Sequence, residues 1–360
     1  MTGEVRTGTP LTEFWLDELL AGITRYPDVG HLAAAGDYLI TGGDGCLGSQ
    51  VAGLLAVLRE RRVGIGEIFV LDLFPRGVSP LTDYLRKSCD VALIEADIVQ
   101  PLSHLPKVDN IIHLASIPSP TWFRRNPIST VLVNTIGAVN IFDYAEKSNA
   151  SRVMHISSSG VYGNLPATTP WREDMTGSAD LHDQRACYDE SKRLAETICA
   201  EAHRVRGIPV TVIRPFNAYG PGQRRDDGRI VPHLIEEAIS GGPLHLETDG
   251  SPRRCFCYSV DVAAAMLLAT GSDLPWEVFN VGSTEDVSMA ELARLVSDCR
   301  GIGAGCIQFQ SMPERGGGSG PQARYPSIAA IGEKYGWKPS ISLAEGIHKT
   351  IRYHELLRAG

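Results

Sequence analysis

A chain of 360 residues exceeds the usual ~150 per folding unit about twofold, so two units with a large core are expected, and a mini-protein stapled by disulfides or metal is excluded. Hydrophobic residues make 43%, charged residues 21% and mean hydropathy is −0.06, and no continuous apolar run approaches the ~18 residues of a bilayer span, so a soluble globular protein without a membrane partner is expected. The 34 Lys and Arg against 42 Asp and Glu give a net charge of −8, without the basic excess that nucleic-acid binding requires.

Residues 1–36 form a lead in which Leu11, Trp15 and Leu19 recur every four positions, predicting a short N-terminal helix. Apolar runs of strand length follow at Tyr38–Thr41, Ile68–Leu71, Val91–Ile94, Asn110–Leu114, Val153–Ile156 and Val210–Ile213. Between most of them lie stretches of helical periodicity, such as Gly48–Arg59 and Pro127–Lys147. Strand and helix in alternation, with strands apolar throughout, predict an α/β fold whose doubly wound parallel sheet occupies 37–215. From 216 to 360 the rhythm breaks into shorter Gly-, Pro- and Arg-rich pieces, read as a smaller mixed α/β lobe interleaved with the last sheet elements. Gly316–Gly320 reads as a flexible loop within it. Eight scattered cysteines, only Cys255 and Cys257 close together, form neither a disulfide framework nor a redox motif, and no leader pattern opens the chain, which suits a reducing cytoplasm.

Directly after the first strand stands Gly42-Gly43-Asp44-Gly45-Cys46-Leu47-Gly48, and a helix opens within it. Glycines at 42, 45 and 48 permit a tight turn and let a pyrophosphate approach the helix N-terminus. Asp72 ends the second strand, where a carboxylate can accept from an adenosine ribose diol, so the pattern is that of a Rossmann site for NAD rather than NADP. Asp44 is unusual there and is compatible with phosphates only if it points away. Further on, Tyr188 and Lys192 stand one helical turn apart, so that an ammonium and the cofactor's positive ring favour the phenolate. Ser157-Ser158-Ser159-Gly160 ends the fifth strand, at the sheet edge where ligands bind in open α/β folds.

These motifs resemble the extended short-chain dehydrogenase/reductases that act as nucleotide-sugar epimerases and dehydratases, over about residues 37–356. Within that family the chain is most similar to the UDP-glucuronate decarboxylases, through Asp109–Ser116, Asn134–Gly137, Arg185–Arg193 and Arg254-x-Phe256-x-Tyr258-x-x-Asp261. The resemblance implies that Tyr188 is the base, that Lys192 holds the nicotinamide ribose and that Ser158 bonds the sugar 4-hydroxyl. It implies NAD contacts at Gly42, Gly45, Cys46, Leu47, Gly48 and Asp72, at Asp97 and Ile98 beside the adenine, and at Leu114, Ala115, Ser116, Asn134, Ser157 and Pro215. A nucleoside-diphosphate sugar, UDP by family default, would meet Ser119, Ser159, Gly160 and Asn217. Arg254 and Arg324 are the choices for clasping its diphosphate or a sugar carboxylate, because a guanidinium binds either in two places. Arg229 is a further candidate, although with Arg224 and Arg225 it also reads as a solvated charged loop. His113 and His155 read as core histidines, no metal site is expected, and a homodimer through helices near 127–147 and 187–206 is the family expectation.

Two positions depart from the decarboxylase pattern. Gly160 stands where those relatives carry a glutamate, and Phe123 where they carry a tyrosine. A 4,6-dehydratase needs a positioned acid and base, so that reading weakens. A C4 epimerase needs least machinery, and Gly160 would leave room for a 4-keto sugar to turn over. The sequence therefore ranks a nucleotide-sugar 4-epimerase first, a UDP-glucuronate decarboxylase second, and a catalytically silent NAD-binding regulator last.

Overall fold

The protein is described by a computed structural model covering residues 8–61, 64–166, 168–309 and 324–360, so the glycine run at 316–320 lies outside the described residues. Seven strands, β1 (Gly36–Thr41), β2 (Ile65–Asp72), β3 (Ala92–Glu95), β4 (Asn110–His113), β5 (Arg152–Ile156), β6 (Val210–Pro215) and β7 (Trp276–Val281), form one sheet in the order β7-β6-β5-β4-β1-β2-β3. Every pairing in it is parallel.

Side chains alternate across this sheet. Tyr38, Ile40, Val70, Ile112, Met154 and Ile213 face one way, into a core shared with α1 (Pro10–Arg25), α2 (Cys46–Glu60), α3 (Pro80–Ser88) and, later in the chain, the helix Ser259–Thr270. Leu39, Ile111, Val153 and Val212 face the other way, under α4 (Pro127–Ser148) and α5 (Ala186–Arg206). A further core gathers Tyr219, Leu234, Ile235, Leu246, Leu292 and Ile347 from the C-terminal third.

Three features differ from the sequence expectation. The strand β7 was not anticipated, because Trp276-Glu277-Val278 places a carboxylate in its middle; Glu277 is only 6% exposed and pairs with Lys334 of the covering helix Ala329–Tyr335. The N-terminal helix is long and firmly docked. Trp15 is fully buried and its Nε1 donates to Gln50 of α2 at 2.8 Å, while Glu18 pairs with Lys349 and accepts from the Tyr258 hydroxyl. Finally, α4 is long and apolar enough to cross a membrane by length and composition, a feature masked in the sequence by Asn134, Thr135 and Asn140. It packs as a sheet-covering helix, with Ile141, Phe142 and Ala145 in the core.

Candidate active site

The sheet reverses its strand order between β1 and β4, which opens a crevice at the carboxyl ends of these strands. The glycine turn lies in it. Gly42 has φ +67°, and a Cβ there would fall 2.7 Å from the Ala115 backbone nitrogen; a Cβ on Gly48 would fall 2.4 Å from the Gly42 carbonyl oxygen. Gly45 has an ordinary extended backbone and caps α2, so the first-turn amides of Cys46, Leu47 and Gly48 have no partner within the helix and are free to receive an anion. Asp44 does point away: its carboxylate accepts from the Ser79 amide at 3.0 Å. Asp72 accepts from the Asp44 amide at 3.1 Å and from the Leu73 amide at 2.8 Å, which braces the loop and still leaves lone pairs for a diol. A cradle too tight for any Cβ, unpartnered helix amides and a terminal carboxylate together fit a dinucleotide.

The other anticipated cofactor residues are held in place by hydrogen bonds and packing around the strand ends. Leu114 and Ala115 donate their amides to Thr41, and the Asp97 carboxylate accepts from the Val99 amide. Ile98 is buried against α4, and the Asn140 side chain bonds its carbonyl. Ser116 donates to Asn134, whose amide donates to Ser191 one turn from Tyr188, so one hydrogen-bond chain ties the crevice wall to the helix of the reactive pair. Ser157 donates to Glu196, which also grips Arg214 two residues along the chain from Phe216; Pro215 ends β6 beside that pair.

Tyr188 is 8% exposed and its ring stacks on Phe123, centroids 5.6 Å apart and 14° from parallel. Burial raises its phenol above the ordinary range, while a hydrogen bond with Ser158 and the charge of Arg229 pull it down. The Ser158 hydroxyl also accepts from the Gly160 amide at 3.0 Å and starts the turn Ser159–Tyr162. Lys192, one turn after Tyr188, is buried below it. Its ammonium donates to the Ile156 carbonyl at 2.9 Å, and burial brings its pKa down to about 7. His113 and His155 lie in register on β4 and β5 with rings 5.3 Å apart. Both are held neutral by burial and by Lys192. His113 Nδ1 bonds Thr41 at 2.7 Å, whereas among the described residues its Nε2 and both nitrogens of His155 have no partner, so His113 is half satisfied and His155 not at all.

Three arginines, Arg185, Arg254 and Arg324, lie near enough for their charges to act on one another. Arg324 is 9% exposed, its Nε has no partner among the described residues, and burial together with the charges of Arg185 and Arg254 brings its pKa down to about 10. Arg229 pairs with Asp227 at 3.3 Å and its charge lowers both Tyr188 and Cys46, whereas Arg224 and Arg225 are exposed and paired with Asp226 and Glu236. Ser119 spends its hydroxyl proton on the Asp227 carbonyl, and Asn217, at φ 43°, donates to the Cys255 carbonyl at 2.8 Å. Sequence reasoning assigned no role to Arg185 or Asp189. They form a two-toothed ion pair, with Arg185 Nε and Nη2 donating to the carboxylate at 3.1 and 3.0 Å.

Residues 38–282 match the model of the NAD dependent epimerase/dehydratase family. The chain belongs to this family. As a family member it is an NAD-dependent enzyme of nucleotide-sugar chemistry. Its relatives include UDP-glucuronic acid decarboxylase 1 of Xenopus tropicalis, 35% identical over 331 residues that make up 91% of this chain and 75% of that one. UDP-glucuronic acid decarboxylase 5 of Arabidopsis thaliana is 35% identical over 313 residues, 86% of each chain. Among solved structures, the dTDP-glucose 4,6-dehydratase DesIV of Streptomyces venezuelae superposes with a TM-score of 0.79 at 22% identity, over 90% of this chain and 98% of its own. This last likeness is one of fold.

Proposed function

We propose that this family member decarboxylates UDP-glucuronate through oxidation at C4. The observation that carries the reading is the mutual proximity of Arg185, Arg254 and Arg324, with a buried Arg324 Nε that has no partner among the described residues, since such a group suits a ligand that brings carboxylate as well as phosphate. The decarboxylase relatives, aligned over most of their length, support it.

Bound NAD supplies a hydride acceptor and donor; Gly42, the amides of Cys46, Leu47 and Gly48, Asp72, Asn134 and Lys192 would hold it. Ser158 lies close enough to the Tyr188 phenol to lower it, so a hydroxyl that meets both has an orienting partner and a proton acceptor. Tyr188 takes the 4-hydroxyl proton as C4 is oxidised. The resulting ketone is β to the C6 carboxylate, and this arrangement loses carbon dioxide readily. Arg229 stabilises the phenolate until its proton is returned.

The sequence ranked 4-epimerisation first because Gly160 would leave space for the sugar to turn. That space is filled: a Cβ on Gly160 would fall 2.1 Å from Asp189 Oδ1. This removes the argument for epimerisation over decarboxylation. Incubation with UDP-glucuronate and UDP-glucose separates the readings. A product lighter by carbon dioxide is expected from the uronate, whereas an isobaric C4-inverted product would favour the epimerase and loss of water a dehydratase.

The family expectation of a homodimer draws support from one face. Leu132, Ile136 and Val139 on α4 and Leu194 and Val205 on α5 are between 37% and 69% exposed. Sedimentation is expected to give twice 39.0 kDa, and a 39.0 kDa species would contradict it. All eight cysteines are free, which suits a reducing compartment.

A further inference from the structure

Gly160 has no backbone reason to be glycine, since it is not among the residues of positive φ. Its need for a bare Cα comes from a neighbouring helix. A Cβ at 160 would lie 2.1 Å from Asp189 Oδ1, 2.7 Å from Asp189 Cγ and 3.3 Å from Ser158 Oγ, so the Asp189 carboxylate occupies the volume a side chain would take, beside the hydroxyl assigned to the sugar. Arg185, one turn earlier on the same segment, holds it with two hydrogen bonds. The Asp189 side chain is 16% exposed, and its negative charge is felt by Tyr188 and by the buried Arg324. It therefore lies among the groups that face the sugar.

We propose that Asp189 is the carboxylate of the sugar pocket, seated over Gly160 and aimed by Arg185 beside Ser158, where it positions the sugar ring by accepting from its hydroxyls. The assignment rests on the reading of Ser158 and Tyr188 given above. It makes Gly160 and Asp189 one functional unit contributed by two elements: the strand-end turn provides the vacancy, and α5 provides the acid. Asp189 makes no bond and carries no proton in the reaction. Its contribution is orientation, and a misplaced ring costs turnover far more than affinity.

The test is a cycle of Gly160→Ala, Asp189→Ala and the double variant in the holoenzyme, with kcat, KM and a pH profile for UDP-glucuronate. Each single change is expected to lower kcat by about tenfold or more with KM within about threefold, and the double to fall no further than Asp189→Ala, because the added methyl then meets no carboxylate. The pH profile supplies a readout that a merely structural ion pair would not move. Asp189 raises the Tyr188 phenol, while Ser158, Arg229 and Arg185 lower it, so removing Asp189 shifts the acid limb to lower pH. Unchanged kcat and an unmoved limb in Asp189→Ala, or losses that multiply in the double variant, would overturn the assignment. Should Asp189→Ala fail to fold, Gly160→Ala decides, since the added methyl has to push the Asp189 carboxylate off its place against Arg185, and an unaltered kcat there is equally fatal. A wild-type enzyme inactive on every UDP-sugar would remove both readings, whereas an active one indifferent to Asp189 removes this one alone.

Discussion

Replacing Tyr188 with phenylalanine is expected to lower kcat by about 10²–10⁴-fold, the usual contribution of a positioned general acid and base, while the protein keeps its fold and its bound NAD. The substitution removes one oxygen from a ring that is 8% exposed and stacked on Phe123, so packing is preserved. The chain of hydrogen bonds from Ser116 through Asn134 to Ser191 uses backbone and side chains other than the phenol, so the helix and the crevice wall stay joined. Steady-state turnover together with the NAD content of the purified variant checks this. Full turnover would show that another group takes the proton. A wild type inactive on nucleotide sugars, with cofactor binding that the variant leaves unchanged, would favour a silent NAD-binding protein.

Lys192→Met is expected to abolish most turnover and to make the cofactor-free protein more stable. Lys192 is 1% exposed, makes one hydrogen bond to the Ile156 carbonyl, and faces two neutral histidines. Its amine titrates near its ordinary 10.5 in the unfolded chain and at about 7 in the folded one. A depressed folded value means the ammonium destabilises the fold: the cost is full below pH 7, shrinks as pH rises from 7 to 10.5, and is absent above. The variant lacks that cost at every pH. Its melting temperature is therefore expected to exceed the wild type's by at least a few degrees at pH 6, the gap closing toward pH 10. Thermal unfolding across this range measures it. A less stable variant at pH 6 would mean that the ammonium is better compensated than its surroundings indicate.

Much of this architecture is written locally in the chain. Continuous apolar runs marked six of the seven strands, and the glycine turn with Asp72 marked the dinucleotide crevice, because each is a property of neighbouring residues. The four-residue spacing of Tyr188 and Lys192 put both on one face of α5. What escaped was decided by contacts between distant segments. Trp276–Val281 is a strand because Lys334 neutralises Glu277 from a helix 57 residues on. No spacing reveals that the Lys192 ammonium donates to the Ile156 carbonyl, or that Ser158 and Arg229 lower the phenol from other elements. Gly160 read as empty space, yet the volume over it belongs to a carboxylate 29 positions later. One-dimensional spacing says which residues share a face; it does not say whose side chain fills a gap.

In the proposed reaction C4 of a uronosyl nucleotide is oxidised beside Ser158 and Tyr188 before carbon dioxide leaves. The most direct measurement is the mass spectrum of products formed by the wild-type holoenzyme from UDP-glucuronate deuterated at C4. The account predicts a product lighter by carbon dioxide, formed with a slower rate than from unlabelled substrate because the C4–deuterium bond must break. Carbon dioxide loss with no isotope effect and with the label never leaving C4, or no loss of carbon dioxide at all, would contradict it.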